Sequence, residues 1–293
     1  MTGAARSWLF VPGDAEHKIT RALASAADAL ILDLEDAVAP ANLPAARALV
    51  ADCLRTHPGA RLWVRINALG TAQALADLAA VVPAAPAGIV LPKAEGAADV
   101  VRLGHYLSAL EAAGGLAEGQ TRIAVVATET PASLFTLGSY AATPPRLAAL
   151  TWGAEDLAAA LGASANREGD GNYAAPFVLA RTLCLAAATA AGVAPIDTVF
   201  TDFRDEAGLA AEASAARRAG FVGKLAIHPA QVGPINAAFT PTDAEIAAAE
   251  RIVAAFAAAP GQGTVGLDGR MLDRPHLRQA ERVLAAAGRS GGS

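Results

Sequence analysis

The chain has 293 residues, 54% of them hydrophobic and 17% charged, with a formal net charge of −5. That length and apolar share allow a large buried core and exclude wholesale disorder. An acidic chain without a Lys/Arg stripe also lacks the electrostatic footprint of a nucleic-acid binder. Cys53 and Cys184 lie in apolar helical context and read as small core residues in a reducing compartment, not as a disulfide or a nucleophile. The start MTGAARSW has no basic segment followed by an apolar one, and no apolar run is long enough for a membrane span. A soluble, cytoplasmic protein with no membrane partner is expected.

In chain order, eight short apolar runs recur: SWLFVPG, ALILDLED, RLWVRIN, GIVLPK, RIAVVATET, LAALTWGAED, DTVFTD and GKLAIHP. Between them lie Ala/Leu/Arg-rich stretches with helical spacing, such as AARALVADCLRTH and APFVLARTLCLAAATAAG. Alternating strand and helix implies parallel pairing with right-handed crossovers. Eight units predict an α/β fold of the (β/α)₈ TIM-barrel type over residues 1–240, with a doubly wound open sheet as the rival. Residues 241–293 read as a C-terminal helical extension, a lid or subunit clasp. In it TPTDAEIAAAERIVAAFAAA is a helix with Thr242 or Asp243 as N-cap, PGQGTVGLDGRML is a Gly-rich excursion, and DRPHLRQAERVLAAAG is a last helix. The GxG of PGQGTVG sits too late for a dinucleotide site, and the final RSGGS is expected to be disordered.

The runs share a second feature: each ends in polar or turn-forming residues. Those ends are Pro12-Gly13, Asp33 to Asp36, Arg65 and Asn67, Lys93, Glu129, Glu155 and Asp156, Asp202, and His228. In a barrel they gather at one mouth, where active sites lie. Surface turns draw on Gly, Asn, Asp and Ser rather than on Arg, Lys, Glu and His. The second run is the sharpest case, because Ala29–Leu32 are apolar and Asp33, Glu35 and Asp36 follow at once. Asp33 and Glu35 share a parity and Asp36 starts the turn.

Glu129 and Asp156 fall at the ends of the fifth and sixth runs. Neighbouring strands are about 4.8 Å apart, so two such carboxylates can converge on one cation, and oxygen ligands completed by water and substrate suit Mg²⁺. Each can equally cap the helix that follows. Arg65 can fork onto a substrate carboxylate or a developing oxyanion, or form a salt bridge to the acids of the second strand. Lys18, Arg21, Lys93 and Lys224 can hold phosphates, with Lys93 and Lys224 favoured because each adjoins a strand end. His228 reads as a hydrogen-bonded structural histidine, and His17, His57, His105 and His276 as surface residues. Asp268 and Asp273 flank GRML and read on their own as turn residues.

Together RSWLFVPG, ILDLEDAV, VRIN, LPK, ETP, GAEDL, IDTVFTDFRDEAGL, GKLAIHPAQV and LDGRMLDRP resemble, in this order and over nearly the whole chain, the citrate lyase β-subunit-like group of acyl-CoA lyases in the HpcH/HpaI aldolase family. The resemblance implies a TIM barrel, Mg²⁺ with Mn²⁺ as a substitute, a CoA thioester substrate, and a homotrimer or hexamer. Glu129 and Asp156 match the metal ligands, and Arg65 the arginine that steadies the thioester oxygen and the keto acid. Asp273 matches a tail aspartate given by a neighbouring subunit as general acid/base. Glu35 and Asp36 match acids behind the metal, and are preferred over Asp33 as the acids that touch the site. On this likeness Gly153 and Ala154 offer backbone donors to the keto-acid carboxylate, and Lys18, Arg21 and Lys93 lie toward the CoA phosphates. The expected reaction is reversible Claisen-type cleavage of a malyl-CoA-like 3-hydroxyacyl-CoA to a 2-keto acid such as glyoxylate plus acetyl- or propionyl-CoA. The alternatives are a malyl-CoA thioesterase, a citrate lyase β subunit, a CoA-free pyruvate aldolase, and a non-catalytic barrel that only binds an acyl-CoA or a partner.

Overall fold

Strands buried on both faces need continuous apolar runs, and the eight runs supply them. A computed structural model describes residues 5–59, 61–143 and 145–289. Met1 to Ala4, Ala60, Pro144 and Ser290 to Ser293 lie outside the described residues, including all but Arg289 of the RSGGS end. The strands are β1 (Ser7–Pro12), β2 (Ala29–Asp33), β3 (Leu62–Arg65), β4 (Gly88–Leu91), β5 (Arg122–Val126), β6 (Leu147–Thr151), β7 (Ala194–Asp197) and β8 (Gly223–Ala226). They pair in sequence order, all parallel, and β8 returns to β1, closing an eight-stranded barrel. The open-sheet rival is thereby set aside.

Strand parity divides the core. Trp8, Ile31, Trp63, Val90, Ala124, Ala149, Ile196 and Leu225 form one cluster inside the barrel, one residue from each strand. Their neighbours of opposite parity, such as Leu9, Leu32, Val64, Ile89 and Val125, are also buried, facing away from that interior. The Trp8 and Trp63 rings meet at 4.8 Å. A Cβ at Gly88 would stand 2.2 Å from the Trp63 ring, so a glycine is required opposite the larger aromatic.

The crossovers carry α1 (Glu16–Leu23), α2 (Leu43–Thr56), α3 (Gln73–Val81), α4 (Ala97–Gly114), α5 (Ala154–Leu161), α6 (Ala175–Ala190) and α7 (Glu206–Ala219), and α8 (Val232–Phe239) follows β8. Among the described residues between β5 and β6 the helical elements are 3₁₀ turns, Ala132–Phe135 and Leu137–Ala142. The seventh strand differs from expectation: β7 is APID, upstream of DTVFTD. Pro195 reads as a breaker, yet at the second position of a short strand it costs one N–H while its carbonyl still accepts from Val222. Asp202 is therefore an exposed loop residue rather than a strand end.

The chain divides into two compact units within α8, one of Ala5–Asn236 and one that runs from Ala237. The second contains α9 (Asp243–Ala257), a hairpin of β9 (Thr264–Leu267) and β10 (Arg270–Asp273), and α10 (Arg274–Ala286). Thr242 caps α9 in a reciprocal box with Glu245. Asp268 and Gly269, at φ 50° and 73°, form the two-residue turn of the hairpin, as an Asp-Gly pair should. Ala249, Ala280 and Leu284 join α9 to α10, and Phe256, Val265 and Leu272 join the hairpin to them. Among the described residues no helix is long and apolar enough to cross a membrane.

Candidate active site at the barrel mouth

Asp33 and Arg65 are the last residues of β2 and β3 and stand opposite each other in the register. They share the parity of Ile31 and Trp63, so both face the barrel interior at its C-terminal mouth. Asp33 takes Arg65 Nε at 2.7 Å and Nη2 at 2.6 Å, a bidentate fork between two buried side chains. Asp33 also accepts the N–H groups of Glu35 and Ala37 at 3.0 and 3.2 Å, which folds the turn that presents Glu35 and Asp36. Arg65 Nη1 lies 3.1 Å from Glu35 Oε2 and 3.2 Å from Asp36 Oδ2, and the Phe10 ring lies 4.8 Å from the guanidinium carbon. Burial works against the guanidinium charge, but Asp33, Glu35 and Asp36 outweigh it and raise its pKa.

Lys93 joins the cluster from the turn after β4. Its backbone N–H donates to Glu129 Oε2 at 2.5 Å. Its Nζ donates to Glu35 Oε1 at 2.6 Å and lies 3.5 Å from both Asp36 Oδ1 and Asp156 Oδ1. Partial burial opposes the ammonium, but its hydrogen bond to Glu35 and the charges of Glu35, Asp156 and Asp36 raise its pKa.

Glu129, three residues past β5, is only 4% exposed. Its side chain packs on Gly153, where a Cβ would come within 2.7 Å of Glu129 Cγ. Burial, with Asp156 and Glu35 nearby, pushes its carboxyl up to about 8. Burial likewise raises Glu35. Asp156 is not at a strand end but in the first turn of α5. Neither acid caps a helix: Gly153, the N-cap of α5, gives its N–H to Thr128 Oγ1 at 3.2 Å. The Gly153 N–H, one of the two expected backbone donors, is thus engaged by Thr128 here.

Five carboxylates (Asp33, Glu35, Asp36, Glu129, Asp156) thus surround two cations, Arg65 and Lys93. When all are ionised, three negative charges remain uncompensated, and one Glu35 oxygen, Oε2, is buried without a hydrogen bond of good geometry. The donors are all oxygen, and among the described residues no His/Cys/Asp/Glu set forms a complete metal cage. Such a site fits a hard divalent cation that keeps water or substrate as its remaining ligands. Excess carboxylate, with an ammonium already standing among the acids, marks where positive charge is wanted.

The structure does not bring the other expected residues into this cluster. Lys18 and Arg21 are exposed on α1. The Lys93 ammonium is taken up by carboxylates, which speaks against a phosphate role. Lys224 is fully buried between Asp197 and Glu212, at 2.9 and 2.8 Å, and holds no phosphate. His228 accepts from Ala230 N–H and caps a turn, as a structural histidine should. Asp273 belongs to the second unit, half exposed, with its Oδ1 2.5 Å from His276 Nδ1. The His276 hydrogen bond lowers its pKa. Asp33 is the acid of the second run that takes the salt bridge expected of Arg65 as one of its two alternatives.

A closed parallel barrel with carboxylates and an arginine gathered at its C-terminal mouth has the layout of a TIM-barrel enzyme. The HpcH/HpaI aldolase/citrate lyase model matches residues 6–229. The chain belongs to that family. A citrate lyase subunit beta-like protein of Mycobacterium tuberculosis is 38% identical over 292 residues, covering 98% of this chain and 97% of the relative. A (3S)-malyl-CoA thioesterase of Cereibacter sphaeroides is 38% identical over 286 residues, covering 96% and 94%. The crystal structure of M. tuberculosis CitE in complex with magnesium, acetoacetate and coenzyme A superposes with a TM-score of 0.82 at 36% identity, covering 98% of this chain and all of that one.

Proposed function

We propose that this protein is a Mg²⁺-dependent acyl-CoA lyase that cleaves, reversibly, a malyl-CoA-type 3-hydroxyacyl-CoA into a 2-keto acid and a short acyl-CoA. The observation that carries the reading is the mouth itself, where five carboxyl groups, a buried Glu129 and Asp156 among them, gather round only two cations, a fixed Arg65 and Lys93. The magnesium and coenzyme A bound by the M. tuberculosis structure support it. Glu129 and Asp156 would hold the ion, with Glu35 and Asp36 behind them. When bound, it supplies Lewis acidity to the hydroxyl or keto oxygen of the substrate and cancels carboxylate charge.

The chain's own groups do the rest. Arg65 is clamped by Asp33, yet Nη2 keeps a second N–H beyond the one it gives Asp33. That donor is aimed at the thioester oxygen, where negative charge develops as the C–C bond electrons pass into an enolate. Because Asp33 fixes the guanidinium beforehand, little reorganisation is needed when the charge appears. Ala154 N–H, at the first position of α5, orients the keto-acid carboxylate. Asp273, reaching from a neighbouring subunit in a homotrimer or hexamer, protonates the enolate carbon, or removes that proton in condensation. Lys18 and Arg21 face the CoA phosphates.

The test is a panel of malyl-, methylmalyl- and citramalyl-CoA with Mg²⁺, scoring acyl-CoA plus keto acid against free CoA. Asp156→Ala should abolish divalent-dependent cleavage and leave the fold intact; full activity in EDTA would sink the assignment. The thioesterase relative favours a second reading, in which the same site directs water at the thioester carbonyl. Free CoA plus malate would identify it.

A further inference from the structure

Lys93 holds an unusual backbone. Its φ of 51° places it in the left-handed region, and among the described residues only Ala85 and Asp268 are other non-glycine residues there. A long side chain in that region carries strain that its surroundings must offset. The left-handed turn delivers two contacts at once. It aims the Lys93 N–H at Glu129 Oε2, and it sends Nζ back to Glu35, a residue 58 positions earlier. Nζ is also within 3.5 Å of Asp156 and Asp36. Arg65 pairs with Asp33, Glu35 and Asp36, whereas the ion pair of Asp156 is with Lys93. Among the described residues, Lys93 is the cation that touches both the acids of the β2 turn and the acid of α5.

We propose that Lys93 is the built-in counter-ion of the metal site: its ammonium stands among Glu35, Asp36 and Asp156 as an internal competitor of the divalent cation and sets that cation's affinity, while its N–H holds Glu129 on aim. This rests on the reading that Glu129 and Asp156 are the metal ligands. The two roles separate by substitution. Lys93→Met keeps an L side chain on the left-handed backbone, and with it the N–H to Glu129, but removes the competing charge. Lys93→Gly removes the charge and relieves the left-handed strain while its backbone N–H remains to donate to Glu129.

The test uses the full chain after EDTA treatment, with Mn²⁺ binding followed by electron paramagnetic resonance and Mg²⁺ by calorimetry. Lys93→Met, and Lys93→Gln as a second neutral variant should the first fold poorly, are expected to bind the divalent ion roughly tenfold or more tightly, because a positive charge a few ångströms from the ligands is gone. Lys93→Gly, which fits the left-handed backbone without strain, should show the same gain. A structural lysine would lower affinity when removed, not raise it. Wild-type binding with equal or weaker affinity in both neutral variants overturns the Lys93 proposal and leaves the metal site standing. No divalent binding by the wild type overturns the metal site, and the proposal with it.

Discussion

Asp33→Asn removes one charge from the pair with Arg65 at nearly constant volume. The native carboxylate takes Nε at 2.7 Å and Nη2 at 2.6 Å from a guanidinium whose side chain is only 12% exposed. An amide can turn its oxygen to one of these donors and must then present its NH₂ to the other, donor against donor. Removing one partner of a buried pair costs about 3–5 kcal/mol when the survivor is left bare. Arg65 is not left bare, since Glu35 at 3.1 Å and Asp36 at 3.2 Å remain. The loss is therefore nearer one charge-assisted hydrogen bond, about 2–3 kcal/mol. Urea unfolding of the variant should show that decrease. Released from its fork, Arg65 should swing toward Glu35 and Asp36, and kcat/KM on the malyl-CoA panel should fall about 10²-fold or more. A variant with an unchanged urea midpoint and unchanged kcat/KM would refute the view that Asp33 orients Arg65.

Three further outcomes are expected. Burial opposes the Glu111 carboxylate, but Arg146 and the N–H groups of Thr121 and Gly119 more than offset it and hold the group at about 2 against an ordinary 4.5. The folded state thus binds its proton less readily than the unfolded state. The resulting stability, up to about 3 kcal/mol, is present above pH ~4.5 and lost as pH falls toward 2, so urea midpoints should fall over that window and less so in Arg146→Met. Gly153→Ala should weaken Mg²⁺ binding by about tenfold or more in calorimetry, since the new Cβ must displace Glu129, while its φ of −112° leaves the backbone unstrained. Mixed oligomers of Asp273→Ala and Arg65→Ala chains should regain activity that neither homo-oligomer has, if the tail aspartate acts between subunits; no recovery counts against sharing.

Much of the barrel was legible because burial on both faces leaves a strand few choices. Seven of the eight strands fall inside their apolar runs, and polar residues mark where they stop. The exception, β7, shows the limit of that signal. Pro195 looks like a breaker until a neighbouring segment is there to donate an N–H to its carbonyl. Asp268 was legible as a turn residue, but the strands it joins read in the sequence only as a Gly-rich excursion. Arg65 and Glu129 were readable as polar residues where turns seldom place them, whereas Asp156 was legible only as an acid beside the sixth run.

Partners were not. Asp33, Glu35 and Asp36 stand within four positions of one another, and only the neighbouring strands separate their roles. The register opposite Arg65 gives Asp33 the fork, the turn gives Glu35 to Lys93, and Asp36 is left half in solvent. Lys93 reads in the sequence as a free cation at a strand end, a phosphate ligand in waiting. A left-handed backbone turns it inward, and acids contributed by β2's turn and by α5 receive it. By itself the sequence determined the periodicity, the parallel barrel and the list of charged residues at its mouth, because those follow from local burial and parity. Tertiary structure alone decided which charge meets which, because ion pairs form between side chains brought together by strand register and by single backbone angles, and neither is written in the residues that pair.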